Sequence, residues 1–275
     1  MSIITLITDY GWKDHFVGIL KGKLYSHFPE GTIVDISHSV DKFNLFEANY
    51  LLDASYNHFP KGSVHIMTVD AAQTNENKHI ALLHDGHFFV GADNGVFGNL
   101  LKKIKPEKIV EITIHDRLHE KATDLDVFAM VATHLAKGGS LNVIGKEISS
   151  LKKLAELNPI IDEQATSIKG NVIYIDDFGN CVTNISKKLI DDTAKGRKYT
   201  IRFSNKRIEN IKKHYADFKN TDSASLKNQE GNNIAIFNEN DLLEIAIYRS
   251  NPHSVGSASS LLGLRFRDVV TVEFE

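Results

Sequence analysis

Short hydrophobic runs alternate with amphipathic segments through the first 155 residues of the chain. Compact apolar runs are typical of buried strands, and apolar positions three or four residues apart are typical of helices. The predicted strands occupy residues 3–8, 32–34, 64–69 and 87–92, and the predicted helices occupy residues 14–28, 41–59 and 126–137. Strands that alternate with helices are joined by right-handed crossovers, so this half is predicted to be an α/β/α domain with a mainly parallel sheet.

The pattern changes after Pro159, where short strand-like runs follow one another with polar or glycine-containing segments between them. These runs occupy residues 171–175, 199–203, 233–237, 242–248 and 269–274. Closely spaced strands with little helix are typical of a small antiparallel β-barrel. We therefore expect an α/β domain over residues 1–158 and a β-barrel domain over residues 166–275, joined by a polar linker.

Four of the early hydrophobic runs lead directly into an aspartate, namely Asp9, Asp35, Asp70 and Asp93. In an open α/β sheet, the carboxyl ends of parallel strands border the crevice where ligands bind. Crowded carboxylates raise one another's pKa unless a cation or hydrogen-bond donors lie between them. The row therefore predicts a site for Mg²⁺, for an organic cation or for a ribose diol, and the alternative for any single member is a helix cap.

Two turn sequences contain further candidate residues. Asp93 and Asn94 belong to an Asp-Asn-Gly turn, which at the carboxyl edge of the sheet can form the wall of a pocket. Asp176, Phe178 and Asn180 belong to a segment that resembles a hairpin turn. Turn chemistry alone explains such a segment, but an exposed aromatic ring can also stack on a purine while an amide binds its edge.

Composition narrows the range of partners. The chain has 275 residues and a net charge of -3, so it has no global attraction for nucleic acid or an anionic membrane. No apolar stretch reaches the roughly 18 residues of a membrane span. The chain enters a strand-like run without signal-peptide features, and its single cysteine, Cys181, cannot form an internal disulfide. These features favour the cytoplasm.

Several common motifs are missing from the sequence. The histidines follow no zinc-binding spacing, so we expect no metal bound through them. GxGxxG and P-loop motifs are absent, which argues against a standard dinucleotide or P-loop site. The absence of GxSxG argues against a nucleophile-elbow hydrolase.

A longer series of motifs extends over nearly the whole chain. It includes Thr-Asp-Tyr-Gly at 8–11, Phe-Pro-Lys-Gly-Ser-Val-His at 59–65, Asp-Asn-Gly at 93–95, Asp-Val-Phe-Ala at 126–129 and Phe-Gly-Asn at 178–180. In order and spacing, the series resembles the S-adenosylmethionine hydroxide adenosyltransferase family, whose relatives include fluorinating and chlorinating enzymes that use the same substrate. The resemblance implies displacement at the ribose 5′ carbon by water or hydroxide, which gives adenosine and L-methionine without a metal or other cofactor.

The resemblance also implies a homotrimer whose site lies between the N-terminal domain of one subunit and the C-terminal domain of its neighbour. Carried over to this chain, Asp9 would hold the ribose hydroxyls and Asp70 would lie beside the reacting centre. Asp176 would hold the methionine ammonium, and Phe178 and Asn180 would contact adenine. The other residues expected to border the substrate are Asp14, Asp93 and Asn94.

The chain departs from the family at two of the three positions of its presumed water-activating set. Asp70 is present, but Asn77 stands at the arginine position and Thr123 at the histidine position. Losing a general base typically costs about 10²–10⁴-fold in rate. Three outcomes stay open: other residues assist Asp70, an anion replaces water in a pocket rebuilt around Thr123, or the chain binds S-adenosylmethionine or adenosine without turnover. The candidate substitutes are Lys78, His79 and His119.

A further alternative for the function of the chain is a Mg²⁺-dependent phosphatase or nucleotide hydrolase that uses the aspartates at the strand ends.

Overall fold

The structure is a computed structural model that describes residues 2–98, 100, 105–155, 157–215, 217 and 228–275. The chain forms two compact units, residues 1–155 and 156–275. Within the described ranges, no helix is both long enough and apolar enough to cross a membrane.

A seven-stranded sheet lies at the centre of the first unit, in the order β2-β1-β3-β5-β4-β6-β7. Its strands are β1 (Ile3–Ile7), β2 (Thr32–Ser37), β3 (Val64–Met67), β4 (His79–His84), β5 (His87–Ala92), β6 (Lys108–Ile112) and β7 (Gly145–Glu147). The helices are α1 (Phe16–His27), α2 (Leu45–Ser55), α3 (Asp124–Ala136) and α4 (Leu141–Ile144), with 3₁₀ turns at Tyr56–His58 and His115–Arg117.

Strands β2, β1, β3 and β5 are parallel, so their carboxyl ends lie at one edge of the sheet. β4 is antiparallel to both β5 and β6, which makes β6 point the same way as β5. The prediction of a mainly parallel sheet is confirmed. The hydrophobic pattern did not single out β4, which is joined to β5 by Asp85 and Gly86. Both have positive φ, 49° and 71°, as a two-residue type I′ hairpin requires.

Helices cover both faces of this sheet, as predicted. On one face, Leu24 of α1 and Phe128 of α3 share a buried apolar cluster with Ile66 of β3. On the other face, Leu52 of α2 packs in a cluster with Met67, the next residue of β3. Successive side chains of a strand point to opposite faces, so β3 contributes to both cores.

Helix α2 begins later than the pattern predicts, and α3 begins earlier. Residue 43 has a φ of 62°, outside the right-handed helical region, so the segment before it is a loop. The Asn44 side chain then accepts a hydrogen bond from the Glu47 N–H at 3.2 Å and caps α2. Helix α3 starts directly after Thr123, because Asp126 binds the Thr123 N–H at 2.7 Å.

The second unit contains a nine-stranded sheet in the order β12-β11-β16-β9-β10-β15-β14-β13, with β8 beside β9. Its strands are β8 (Ile160–Ile161), β9 (Ser167–Ile175), β10 (Cys181–Ser186), β11 (Tyr199–Phe203), β12 (Lys206–Ile208), β13 (Ile211–Lys212), β14 (Asn233–Phe237), β15 (Leu242–Ile247) and β16 (Val269–Phe274). The helices are α5 (Lys187–Ala194) and α6 (Ala258–Leu262).

This sheet curves into a nearly closed barrel, and its pairings are antiparallel except for β13 with β14. The predicted antiparallel barrel is confirmed. β10, which the hydrophobic pattern did not single out, begins at Cys181. That side chain is fully buried, and burial raises the pKa of its thiol to about 12, with a smaller contribution from Asp176.

Candidate functional site

A cavity of about 510 Å³ lies beyond the carboxyl ends of β1 and β3 in the first unit. Asp9 follows β1 and Asp70 follows β3, and both line the cavity together with Thr123 from the start of α3. The remaining lining residues are Tyr10, Phe16, Ile19, Lys23, Phe43, Thr68, Ala71, Ala72, Asp124, Leu125 and Phe128. The wall is therefore largely apolar, with a few carboxylates placed on it.

Asp9 is only 6% exposed, and two contacts with the loop before α2 fix its position. Its Oδ2 accepts a hydrogen bond from the Phe43 N–H at 3.0 Å, and its carbonyl accepts one from the Lys42 ammonium. Burial raises the pKa of the adjacent Tyr10, and a smaller opposing effect of Thr68 does not cancel it, so the phenol stays protonated at neutral pH. The cavity thus presents a carboxylate and a phenol side by side.

Asp70 occupies the left-handed region of backbone space, with a φ of 46°. Non-glycine residues rarely adopt this conformation, which costs about 1–2 kcal/mol and persists only where the surroundings hold it. The Asn94 amide donates to the Asp70 carbonyl at 2.9 Å and to the Val69 carbonyl at 3.1 Å. The sharp turn after β3 is what directs the Asp70 side chain towards the cavity.

Thr123 is bound through both of its polar hydrogens to one carboxylate. Its N–H and its hydroxyl donate to Asp126 Oδ2, at 2.7 Å and 2.9 Å. Lys23 of α1 also binds Asp126, through the other carboxylate oxygen. Partial burial alone would raise the pKa of Asp126, but the Lys23 and Thr123 donors outweigh it and lower the pKa to about 2.

Asp124 lines the cavity beside a pair of histidines. Its Oδ1 lies 3.8 Å from His79 Nε2, and its Oδ2 accepts a hydrogen bond from the Gln73 N–H at 3.2 Å. His79 is fully buried and lies 3.1 Å from His115, ring nitrogen to ring nitrogen. Burial lowers the pKa of both histidines, so both are neutral at pH 7.

Four of the site residues predicted from the sequence lie in the first unit but outside the cavity lining. Asn77 accepts a hydrogen bond from Lys152 Nζ at 3.1 Å, in a turn closed by Thr74. Asp14 is exposed ahead of α1. Asp93 accepts from the Lys152 N–H at 2.8 Å, and Asn94 binds the backbone of the Asp70 turn. The structure thus brings Asp9, Asp70 and Thr123 to one cavity, and the other four residues are not part of its lining.

Asp35 does not end its strand, contrary to the sequence prediction. β2 continues to Ser37, because its pairing with β1 extends past Asp35, which lies opposite Leu6. The Asp35 carboxylate binds Lys21 at 2.5 Å and His38 at 3.0 Å. Burial would raise the pKa of Asp35, but these two partners lower it. Asp35 therefore supports the strand and α1 rather than forming part of the cavity.

In the second unit, Asp176 and Asn180 close the hairpin between β9 and β10. Asp176 Oδ1 accepts from the Asn180 N–H at 2.8 Å, and Asp176 Oδ2 accepts from Asn180 Nδ2 at 2.9 Å. Gly179 has a φ of 73°, and a Cβ there would lie 2.1 Å from Ser257 Oγ, so only glycine fits. Phe178 stands at the tip of this turn and is 68% exposed.

Sequence reasoning missed two residues, Tyr215 and Glu244, whose hydrogen bonds connect to Asn180 of this hairpin. Asn180 Nδ2 also lies 3.2 Å from the Tyr215 hydroxyl, which in turn donates to Glu244. Burial raises the pKa of Glu244, and the Tyr215 hydrogen bond only partly opposes that effect. Tyr215 lies in a polar stretch far along the chain, and no local signal marks it as a partner of Asn180.

Among the described residues, no group of three or more His, Cys, Asp or Glu side chains is arranged to bind a metal ion. The sequence prediction also missed several lining residues. Tyr10 and Phe128 lie within the motifs at 8–11 and 126–129, so membership of these motifs was a usable signal. Phe43 offered none, because its approach to Asp9 depends on the fold of a loop 34 residues away.

The sequence matches two family models over most of its length. The SAM hydroxide adenosyltransferase N-terminal domain matches residues 4–145, and the SAM hydroxide adenosyltransferase C-terminal domain matches residues 170–271.

Individual relatives match nearly end to end. The chain is 29% identical to an (R)-S-adenosyl-L-methionine hydrolase of Methanocaldococcus jannaschii, over 99% of this chain and 96% of that protein. It is 26% identical to the (R)-S-adenosyl-L-methionine hydrolase of Thermus thermophilus, over 96% and 97%. The crystal structure of an uncharacterized conserved protein from Thermotoga maritima superposes with a TM-score of 0.83 at 26% identity, covering 99% of both chains.

Proposed function

This chain belongs to the SAM hydroxide adenosyltransferase family, and we propose that it hydrolyses S-adenosyl-L-methionine to adenosine and L-methionine. Water or hydroxide attacks the ribose 5′ carbon, and methionine leaves with the sulfonium electron pair. The observation that carries the proposal is the apolar cavity with Asp9 and Asp70 at the ends of β1 and β3. Carboxylates on an apolar wall suit a ligand that is cationic at one end and carries a diol at the other.

In this proposal Asp9 accepts hydrogen bonds from the ribose hydroxyls, because it is buried and already fixed by the Phe43 N–H. Asp70 lies beside the 5′ carbon and orients the attacking water. The sulfonium is a good leaving group, so the main tasks of the protein are to align the nucleophile and to exclude bulk water. The apolar side chains of Phe16, Phe43 and Phe128 suit the second task.

We further propose a homotrimer in which the hairpin of one subunit completes the cavity of its neighbour. Phe178 is exposed and can stack on adenine, while Asn180 Oδ1 can accept from the exocyclic amino group of the base. Both hydrogens of the Asn180 amide are used within the unit, on Asp176 and Tyr215, so its oxygen is the recognition atom. Each carboxylate oxygen of Asp176 accepts one hydrogen bond from Asn180, and we propose that a second lone pair on these oxygens binds the methionine ammonium.

The oligomeric arrangement has a specific test. An Asp70→Asn subunit and a Phe178→Ala subunit, each weakly active alone, would be mixed after mild dissociation and reassembly. If sites form between subunits, some mixed trimers contain one intact site and activity returns. A strictly additive mixture, or a monomer by light scattering, would contradict the arrangement.

A second candidate function is binding of S-adenosylmethionine or adenosine without turnover. Two positions favour it: Thr123 commits its hydroxyl proton to Asp126, and Asn77 lies in a turn beside Lys152 instead of on the cavity wall. Neither residue can accept a proton from water as a histidine would.

One experiment separates these functions. The protein is incubated with S-adenosylmethionine, adenosine is measured by chromatography, and ligand binding is measured by calorimetry. Adenosine formed in proportion to enzyme supports hydrolysis, whereas binding without product supports the second function.

We propose that no metal or cofactor takes part, so activity should survive a chelator. Loss of activity with EDTA and its recovery with Mg²⁺ would support the metal-dependent hydrolase instead. We also propose a cytoplasmic location, which cell fractionation tests.

A further inference from the structure

The turn that carries Asp70 is held by side chains at three successive carbonyls. Asn94 Nδ2 donates to the carbonyls of Val69 and Asp70, at 3.1 Å and 2.9 Å. His79 Nε2 lies 2.9 Å from the carbonyl of Ala71. Backbone carbonyls in such a turn are more often bound by backbone N–H groups or water. Two side chains therefore fix the backbone on either side of the Asp70 side chain.

The orientation of both donors follows from their own partners. Asn94 Oδ1 accepts a hydrogen bond from the Val96 N–H at 3.1 Å, which leaves Nδ2 facing the turn. A carbonyl can only accept, so His79 must carry its proton on Nε2. Neutral His79 then accepts through Nδ1 from His115 Nε2, 3.1 Å away. The tautomers of both histidines are thus assigned by the hydrogen bonds they make.

Both donors come from the hairpin of β4 and β5, at its end next to the cavity. His79 is the first residue of β4 and pairs with Ala92, the last residue of β5. Asn94 follows β5 by two residues. The His79 ring also packs on the ring of Phe128, a cavity residue, with centroids 4.4 Å apart. A rigid hairpin thus sets the position of a strained turn.

We propose that Asn94 and His79 are positioning residues that hold Asp70 in its left-handed conformation, in which its carboxylate orients the water that attacks the 5′ carbon. The inference rests on the hydrolysis proposed above, and it assigns to Asn94 a task other than contact with substrate. Without the two donors, the backbone of Asp70 relaxes to a right-handed or extended conformation, and its carboxylate no longer orients the attacking water. Misplacement by about 1 Å costs on the order of 10²-fold in rate.

The test uses shape-conserving variants. Asn94→Asp replaces the donor with an acceptor that repels both carbonyls, and His79→Phe keeps a ring against Phe128 but removes the donor. Each is expected to lower kcat at least about tenfold while KM stays within about threefold. His79→Gln keeps an amide donor near the Nε2 position and should recover activity to within about threefold of the wild type.

Two matched controls separate positioning from folding. Asn142→Asp makes the same change at an exposed residue of α4, and His84→Phe makes the same change at a buried histidine at the far end of β4. Neither should alter kcat per folded molecule, although His84→Phe should lower Tm. If His79→Phe and His84→Phe lower Tm equally and leave kcat equal, the positioning role is refuted.

A double-mutant cycle and a crystal structure complete the test. In an Asp70→Asn background, Asn94→Asp should lower kcat by less than a further factor of about three. The effects of the two substitutions are not additive if Asn94 acts through Asp70. Full additivity would refute the inference. Crystals of Asn94→Asp should show residue 70 displaced from its φ of 46°, and an unmoved Asp70 would also refute it. If the wild type forms no adenosine, the proposed function fails while the crystal structure still decides the positioning role.

Discussion

The hydroxyl of Thr123, which lines the cavity, donates a 2.9 Å hydrogen bond to the carboxylate of Asp126. An alcohol in this state can accept a hydrogen bond from water but cannot remove its proton at neutral pH. Thr123 therefore fits a role in holding the attacking water, with Asp70 as the nearby carboxylate.

Thr123→Val should lower kcat about three- to tenfold, because it removes one hydrogen bond to the water, worth roughly 1 kcal/mol, and keeps the branched shape. Adenosine formation under saturating substrate measures the effect. Thr133→Val is the matched control, since the Thr133 hydroxyl binds the Ala129 carbonyl within α3 at 2.8 Å. That variant should change stability only, and an equal loss of kcat in both would contradict a specific role for Thr123.

Thr123→His restores the residue type that stands at this position in the family pattern. If Asp70 works without a strong base, a histidine there should raise kcat by on the order of tenfold or more, with a new rise in rate between about pH 6 and 7. The pH profile of kcat measures this change. A fall in kcat without that pH dependence would indicate that the wild-type cavity is adapted to threonine.

Asp126→Ala should lower the free energy of unfolding by about 1–2 kcal/mol, because α3 loses its capping carboxylate and the contact with Lys23. The contribution is present above the unfolded-state pKa of 3.8 and is lost as pH falls towards 2. Urea denaturation at pH 7 measures it. Asp192→Ala removes an exposed ion pair within one helix and should cost less than about 0.5 kcal/mol.

Stability should fall in mild acid because of the histidine His65. Burial, with a smaller effect of His87, lowers the pKa of His65 from 6.5 to about 3. Below pH 6.5 the unfolded chain takes up a proton that the folded chain does not, so the free energy of unfolding falls by up to about 1.4 kcal/mol per pH unit. His65→Gln should reduce the slope between pH 6 and 4, and exposed His27→Gln should not. Equal slopes would show that His65 is not responsible.

Phe178→Ala should weaken adenosine binding about tenfold or more, because stacking on a base is worth roughly 1–3 kcal/mol. The side chain is 68% exposed, so Tm should change little. Calorimetry with adenosine measures the affinity. Val269→Ala, at another exposed apolar residue of the same unit, is the control. Unchanged binding in Phe178→Ala would remove the hairpin from the proposed site.

Hydrophobic runs predicted the architecture of the first unit because its central strands are buried on both faces, as at Ile66 and Met67, which face the two cores. The row of aspartates predicted the cavity because β1 and β3 are parallel, so chain direction alone brings Asp9 and Asp70 to the same edge of the sheet. The prediction that β2 ends before Asp35 was wrong because the length of a strand depends on its pairing partner. β1 continues to pair with β2 beyond Asp35.

The contacts that shape the site were less accessible to sequence reasoning. Asn94 reaches the Asp70 carbonyl across 24 residues, and Lys23 reaches Asp126 across 103. Such pairs follow from the three-dimensional packing of β4, β5, α1 and α3, not from any local pattern. A turn signal at Asn94 predicted a turn correctly but could not reveal which carbonyls its amide would bind.

We expect the folded protein to be unreactive towards thiol probes, because the thiol at the start of β10 is buried. Cys181 is the chain's single cysteine, and with a pKa of about 12 it is almost wholly protonated at neutral pH. A cysteine introduced at exposed Tyr25 in the first unit or at exposed Val269 in the second would therefore take up a fluorophore or spin label alone. Distances between units, subunits and bound ligand can then be measured in solution without first removing a native cysteine.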